Sequence, residues 1–251
     1  MDNVKIEKAG LNAWPAFKQT DDNGWISRFA DGYTKRSNSI TVLRTGLNSP
    51  ESRINRYEHL YNTNGLPCIF RLLSFNNNEE LEGILDSRGY KNGDHSLVLS
   101  MDIKNRELKP IEFEQIAVDE WMKYYCELSG KKIKEHSTHI RMINTIRGKY
   151  LPAVLSDNKK IVSCGLGIIS DGFIGIFDIV THTLHRNKGY AYKLISGMLT
   201  WSIQNLAYAA YVQVLAENTP AIGLYKKLGF NYAYEYNYKI QDFSLSGGDH
   251  E

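Results

Sequence analysis

Between Phe173 and Phe230 the order of residues leaves few folds open. An apolar, strand-like run, Phe173-Ile174-Gly175-Ile176-Phe177-Asp178-Ile179-Val180-Thr181, leads to a basic turn, Arg186-Asn187-Lys188-Gly189-Tyr190-Ala191. From Lys188 to Ile203, apolar residues fall at Leu194, Ile195, Met198, Leu199 and Ile203, the three-and-four spacing of an amphipathic helix. A strand over Ala209 to Leu215 follows. Next comes Asn218-Thr219-Pro220-Ala221-Ile222-Gly223-Leu224-Tyr225-Lys226-Lys227-Leu228-Gly229-Phe230. Pro220 suits a helix start, where its missing N–H costs nothing, and Gly229 suits the helix end.

These two motifs, in this order, resemble the signatures of the GNAT superfamily of N-acetyltransferases, Arg/Gln-x-x-Gly-x-Gly/Ala and Asn-x-x-Ala-x-x-x-Tyr-x-x-x-Gly-Phe. The resemblance covers residues 109–240 closely and 25–103 loosely. It implies an α+β (mixed α/β) fold, a central, mostly antiparallel twisted sheet with flanking helices. It also implies direct transfer of an acetyl group from acetyl-CoA to a primary amine, with acetyl-CoA as co-substrate and no metal.

The rest of the closely matching region fits that expectation. A strand from Ile111 to Val118 is expected to lead into helices over Glu120 to Leu128 and Thr138 to Arg147, which flank the acceptor site in the family. Tyr150 to Leu155, Ile161 to Ile169 and Phe173 to Val180 read as antiparallel strands joined by short Asp/Asn/Gly turns. A last strand runs from Asn231 to about Ile240.

Laying the chain over itself at an offset of 140 residues gives a second signal. Gly83 to Tyr90 falls on Gly223 to Phe230, Asn78 on Asn218, Cys68 to Leu73 on Tyr208 to Gln213, and Glu51 to Tyr61 on Ala191 to Trp201. Tyr33 to Leu43 falls on Phe173 to Thr183, so Asn38 stands opposite Asp178. We therefore expect a tandem: a truncated, degenerate GNAT-like domain over residues 1–103, a catalytic domain over 109–240, and a tail over 241–251. Leu85 replaces Tyr225, and Gly46-Leu47-Asn48-Ser49-Pro50 stands where the basic turn does, without its cation or its glycine. The first half is thus expected to bind no donor and to shape the acceptor site.

Composition narrows the setting. At 251 residues the chain has room for two domains, and 42% hydrophobic residues are enough for packed cores. A formal net charge of +2 argues for neither nucleic acid nor membrane partners. Cys68, Cys126 and Cys164 are far apart and in no metal-ligand spacing, which excludes a disulfide framework or zinc site and suits a reducing cytoplasm. The N-terminus lacks the apolar core of a signal peptide. Residues 161–180, although apolar, are broken by Ser170-Asp171-Gly172 and read as a hairpin rather than a membrane span. A monomer or homodimer is expected.

Each site residue has a chemical reason. A helix N-terminus carries about half a positive charge and exposed N–H donors, the requirements for a pyrophosphate. Arg186, Asn187, Lys188, Gly189, Tyr190 and Ala191 supply the charge, the donors and the close backbone approach. The resemblance adds Ile179, Val180 and Thr181 as backbone partners of the pantetheine arm, and Asn218 beside it, where it also suits an N-cap. An alkyl ammonium, with a pKa of about 10.4, must lose a proton before it attacks. Asp178, a carboxylate within an apolar strand, is the leading base, acting through water, and Glu217 is the second candidate. Tyr225 matches the family tyrosine that protonates the departing thiolate. His136 and His139 lie near the acceptor helices. Tyr33, Arg36 and Asn38 are the acceptor-side candidates in the first half.

A small amine or amino-acid-like molecule is the favoured acceptor. A protein N-terminus or lysine is the enzymatic alternative, and a non-catalytic acyl-CoA-binding sensor is the alternative of another class.

Overall fold

In the computed structural model, residues 1–45, 50–104, 106 and 111–242 are described. The turn 46–50 (apart from Pro50), most of the expected boundary at 104–109 and most of the tail lie outside these residues. The contacts divide the chain into two compact units: one of residues 1–15 and 97–233, the other of residues 16–96 and 234–251. This division differs from a single cut between residues 103 and 109. The first fifteen residues group with the C-terminal motifs, and the end of the last strand groups with the N-terminal half.

The unit bearing the motifs begins with helix α1 (Asn3–Ala13). Asp2 caps it, its carboxylate accepting from the N–H groups of Val4 at 2.9 Å and Lys5 at 3.3 Å, a cap typically worth about 1 kcal/mol. Its buried residues include Ile6, Ala9, Leu11 and Ala13. The remaining elements are the end of β5 (Lys91–Asp102), β6 (Glu114–Gln115), α4 (Val118–Ser129), α5 (Ser137–Asn144), β7 (Tyr150–Asp157), β8 (Lys160–Ser170), β9 (Phe173–Thr181), α6 (Tyr190–Gln204), β10 (Ala209–Leu215) and α7 (Thr219–Leu228). The strand order is β5-β10-β9-β8-β7-β6. The pairs β6–β7, β7–β8 and β8–β9 are antiparallel, whereas β9 and β10, joined through α6, are parallel.

The strand expected over Ile111 to Val118 shrinks to two residues, because Val118 already opens α4. Phe113 nevertheless packs closely on α6, where any side chain larger than that of Gly197 would meet its ring.

The second unit holds β1 (Lys18–Asp22), β2 (Trp25–Phe29), β3 (Ile40–Val42), α2 (Pro50–Thr63), β4 (Ile69–Leu73), α3 (Glu79–Ser87) and most of β11 (Asn231–Ile240). Its strand order is β1-β2-β3-β4-β11. Trp25, Ile40, Ile54, Tyr61, Phe70, Leu72 and Leu85 form its core.

The 140-residue offset is visible in the element starts. Helices α2 and α6 begin at 50 and 190, strands β4 and β10 at 69 and 209, helices α3 and α7 at 79 and 219, and strands β5 and β11 at 91 and 231. The last strands, however, are exchanged. The end of β5 lies beside β10, and β11 pairs antiparallel with β4, from Tyr236↔Leu73 to Ile240↔Ile69.

Residues 105–251 alone therefore lack both α1 and the β5 strand of their own unit. We expect that fragment to show no cooperative thermal transition and no native near-UV circular dichroism, in contrast to the full chain. A fragment that unfolds as sharply as the full chain would contradict this account.

Candidate functional site

The β9 strand is irregular where the chemistry was expected. Its register with β8 runs Leu166↔Phe177, then Cys164↔Val180, so β9 carries one extra residue. Asp178 takes up the irregularity with φ of +51°, a left-handed conformation that Asp tolerates better than most residues. Across the bulge lies Gly165, where a Cβ would run into Ile179 Cδ1 and approach Met198 Sδ at 3.4 Å. Ser163 anchors the far side of the bulge, its hydroxyl donating to the Val180 carbonyl at 2.8 Å and lying 3.0 Å from Thr181 Oγ1.

The ladder between β9 and β10 covers only Phe173–Ile176 against Ala209–Val212. Strand β9 runs on to Thr181 and β10 to Leu215, without further register pairs between them among the described residues. Ile179, Val180 and Thr181, half-buried, border this opening.

Strand β9 ends in a short turn that delivers the chain to α6. Asn187 and Gly189 both have positive φ, +61° and +81°, and Gly189 is the N-cap. Backbone of this kind turns successive N–H groups to one side. A Cβ on Gly189 would meet nothing within 4 Å, so the space in front of the helix is open. The first turn of α6 contains no acidic residue. Arg186 and Lys188 are exposed; the Arg186 side chain reaches back to the Thr181 carbonyl at 3.4 Å. Tyr190 is fixed by a 2.6 Å hydrogen bond from its hydroxyl to Asp157, and Ala191 is half-buried in the first turn. His182 is used locally, its Nδ1 accepting from the Leu184 N–H at 3.3 Å.

Asn218 caps α7, its Oδ1 accepting from the Ala221 N–H at 3.2 Å. Glu217 beside it is exposed, whereas Asp178 is 17% exposed, so the two base candidates sit in different solvents. Tyr225 lies on α7 in the unit's core, 8% exposed. Burial, and secondarily the Asp178 carboxylate, push its phenol up to about 12. The same two causes, and then Cys126, raise the Cys164 thiol, whose burial keeps it protonated. Tyr225, Cys164 and Asp178 therefore share one local field.

A further side chain meets Asp178. His139 Nε2, on α5, lies 3.4 Å from Asp178 Oδ2 and is 1% exposed. Burial, then the nearby His136 and Lys131, depress the His139 pKa to about 3. Trp14 stacks obliquely on His139 at 4.8 Å and on Phe177 at 5.4 Å, which makes the first fifteen residues part of this site's wall. The spacing of His136 and His139 gave no sign of this contact, which depends on how α5 packs.

Tyr33, Arg36 and Asn38 all lie in the other unit. Asn38 is 4% exposed, and its amide closes the preceding turn, accepting from Ala30 and Gly32 N–H at 2.7 and 2.9 Å and donating to Thr34 O at 2.8 Å. Burial disfavours the Arg36 charge, but Tyr236 and Tyr238 beside it more than compensate and raise its pKa. Tyr33 is half-buried. Among the described residues, no group of three His, Cys, Asp or Glu side chains is arranged to hold a metal, and no helix is long and apolar enough to cross a membrane.

Gly165→Val should overpack the bulge and cost roughly 1–3 kcal/mol of stability. Chemical denaturation measures it, and an unchanged midpoint would show that the bulge does not depend on this glycine.

Three comparisons bear on this geometry. A protein-family model described as "Probable histone acetyltransferase Rv0428c C-terminal" matches residues 3–239. An "Uncharacterized N-acetyltransferase YobR" from Bacillus subtilis (strain 168) is 28% identical over 250 residues, covering 96% of this chain and 100% of that protein. Among solved structures, a GCN5-related N-acetyltransferase from Kribbella flavida superimposes with a TM-score of 0.70 at 11% identity, covering 96% of each chain. A tandem GNAT protein from the clavulanic acid biosynthesis pathway gives 0.58 at 13% identity, with 79% of this chain and 72% of that one covered. At such identities the two structures bear on the fold alone.

Proposed function

We propose, for a chain that belongs to the family described as Rv0428c C-terminal acetyltransferase and is a GNAT-type N-acetyltransferase, that it moves the acetyl group of acetyl-CoA directly to a primary amine of a small, amino-acid-like acceptor. The observation that carries this reading is the opening beside Asp178. There the β9–β10 ladder stops, a carboxylate and a buried phenol share one field, and an acid-free helix N-terminus follows within one short turn.

In this reading, the backbone N–H groups of Asn187 to Ala191, with Arg186 and Lys188, hold the pyrophosphate. Ile179 to Thr181 take the pantetheine arm as an added strand, with Asn218 beside it. Asp178 accepts the proton of the attacking amine, directly or through one water. Glu217, exposed beyond the strand end, is the second base candidate. Tyr225 faces the departing sulfur. With its phenol near 12 and an alkyl thiol near 8.5, full proton transfer would be uphill by about 5 kcal/mol. Hydrogen bonding to the developing thiolate is therefore its main contribution.

Two measurements test the assignment. Gly189→Asp should abolish measurable acetyl-CoA binding by calorimetry. Gly189→Ala, which shares the backbone strain of a positive φ but adds no charge, should weaken it by only about ten-fold, the effect of roughly 1–2 kcal/mol. Equal affinities for both variants would remove the pyrophosphate from this helix.

Tyr225→Phe should lower kcat by up to about 10²-fold while leaving the acetyl-CoA Kd within about two-fold. Because the phenol stays protonated to well above pH 10, any alkaline fall in wild-type kcat near pH 9 should persist in Tyr225→Phe. Its disappearance would show that the phenol titrates far below the value its burial sets.

A further inference from the structure

The buried imidazole of His139 has no place in the reaction as drawn so far, yet the fold aims it at the candidate base. Helix α5 presents His139 to the bulge in β9, with Nε2 3.4 Å from Asp178 Oδ2, close but short of hydrogen-bond geometry, as catalytic hydrogen bonds often are before substrate binds. The ring is held from several sides: Trp14 at 4.8 Å, Trp121 and His136 at 6.2 Å, and Tyr125 at 6.3 Å. Trp121 and Tyr125 come from α4 and Trp14 from the end of α1, so two elements besides α5 restrain one ring. Leucine would fill such a space without the cost of burying a polar ring, which reaches kcal/mol scale. Imidazole makes sense there when its N–H is used.

We propose that His139 is a positioning residue for Asp178: its imidazole, carrying a proton on Nε2, donates to Asp178 Oδ2 when substrate is bound and holds the carboxylate's other oxygen toward the incoming amine. This rests on the reading of Asp178 as the base. Orientation matters more than usual at this position. The bulge leaves the carboxylate on a backbone that departs from the strand's regular alternation, so β9 alone does not fix where its oxygens point. A donor on one oxygen also biases proton capture to the other, which is the task of an orienting partner in acid–base catalysis. His139 need not change its own protonation during turnover. The charged and titratable groups around the pair include His136 and Lys131 on the imidazole side, and Tyr225 and Cys164 on the carboxylate side.

The test uses the full chain, acetyl-CoA, and the fastest acceptor found in a panel of free amino acids and aliphatic primary amines, with thiol release as readout. Four single variants, Asp178→Asn, His139→Leu, His139→Gln and His139→Asn, are compared with the double variant Asp178→Asn/His139→Leu. Glutamine places an amide N–H close to the position of Nε2–H; asparagine is too short to do so. Acetyl-CoA Kd and the thermal midpoint are recorded for each.

The expected result is a fall in kcat of about 10- to 100-fold for His139→Leu and His139→Asn, part of the ~10²–10⁴-fold that a general base contributes. His139→Gln should recover most of it, and acetyl-CoA Kd should stay unchanged throughout. In the Asp178→Asn background, His139→Leu should cause no further loss. Wild-type kcat in His139→Leu or His139→Asn, equal rates for the Gln and Asn variants, or the same loss in both backgrounds would each overturn the proposal. If His139→Leu does not fold, the comparison of Gln with Asn still decides it. An Asp178→Asn enzyme with wild-type kcat would instead remove the base assignment on which the proposal rests. A dead Asp178→Asn with fully active His139 variants would remove His139 alone.

Discussion

The ladder between β4 and β11, five register pairs from Tyr236↔Leu73 to Ile240↔Ile69, is the constraint from which much of the chain's organisation follows. Without β11, β4 would present a bare edge of N–H and C=O groups, a liability that folded proteins cover. The strand that covers it comes from the other half of the sequence, while β5, the local candidate, ends beside β10. Helix α1 adds a third crossing, because residues 1–15 belong with residues 97–233. Each unit is thus completed by chain from the other half, and folding either one requires contacts more than a hundred residues apart. Such pairing is slow to form, because loop closure must be paid for before the contacts form.

Within the motif-bearing unit, the bulge at Asp178 shapes the candidate site. A regular β9 would keep its alternation and send the carboxylate at 178 to a position set by strand period alone. The extra residue breaks that alternation midway along the strand. On one side of the irregularity the strand is pinned to β8 through Ser163; on the other the β10 ladder has already ended. The cost is one residue at positive φ, and Gly165 across the bulge gives the room it needs.

Much of this was legible in the sequence, for reasons that differ from element to element. The amphipathic period of α6, the Pro–Gly bracket of α7 and the alternation of the hairpins are local signals, and the structure starts those elements within two residues of the expected positions. The repeat was legible because glycine and asparagine mark turns, and turns set element starts. Helix α1 carries local signals too, an Asp2 cap and apolar residues at Ile6, Ala9, Leu11 and Ala13, but the expectation that the first half was truncated left no place for it. The exchange of β5 and β11 leaves no local mark on the sequence, since which strand lies beside β4 depends on contacts far apart in the chain. The contact of His139 with Asp178 was hidden for a related reason: the helix spacing is local, and the packing of α5 against β9 is not.

The two halves show how the same letters serve different ends. Asn218 caps α7 with its side chain, whereas Asn78 at the matching position is buried and donates to the Leu73 carbonyl without capping α3. Leu85 fills the core where Tyr225 offers a phenol. The parallel ladders differ most. In the second unit, β3 pairs with β4 through Ile40↔Phe70, Thr41↔Arg71 and Val42↔Leu72. Shifted by the repeat offset, those β3 residues correspond to Val180, Thr181 and His182, the stretch past the end of the β9–β10 ladder. Asn38, opposite Asp178, has φ of −136° rather than a positive value, and its amide closes a turn. Where one copy ends its ladder at a bulge, the other keeps the ladder zipped. A pseudo-strand ligand needs the open form, which the β3–β4 ladder of the second unit does not offer.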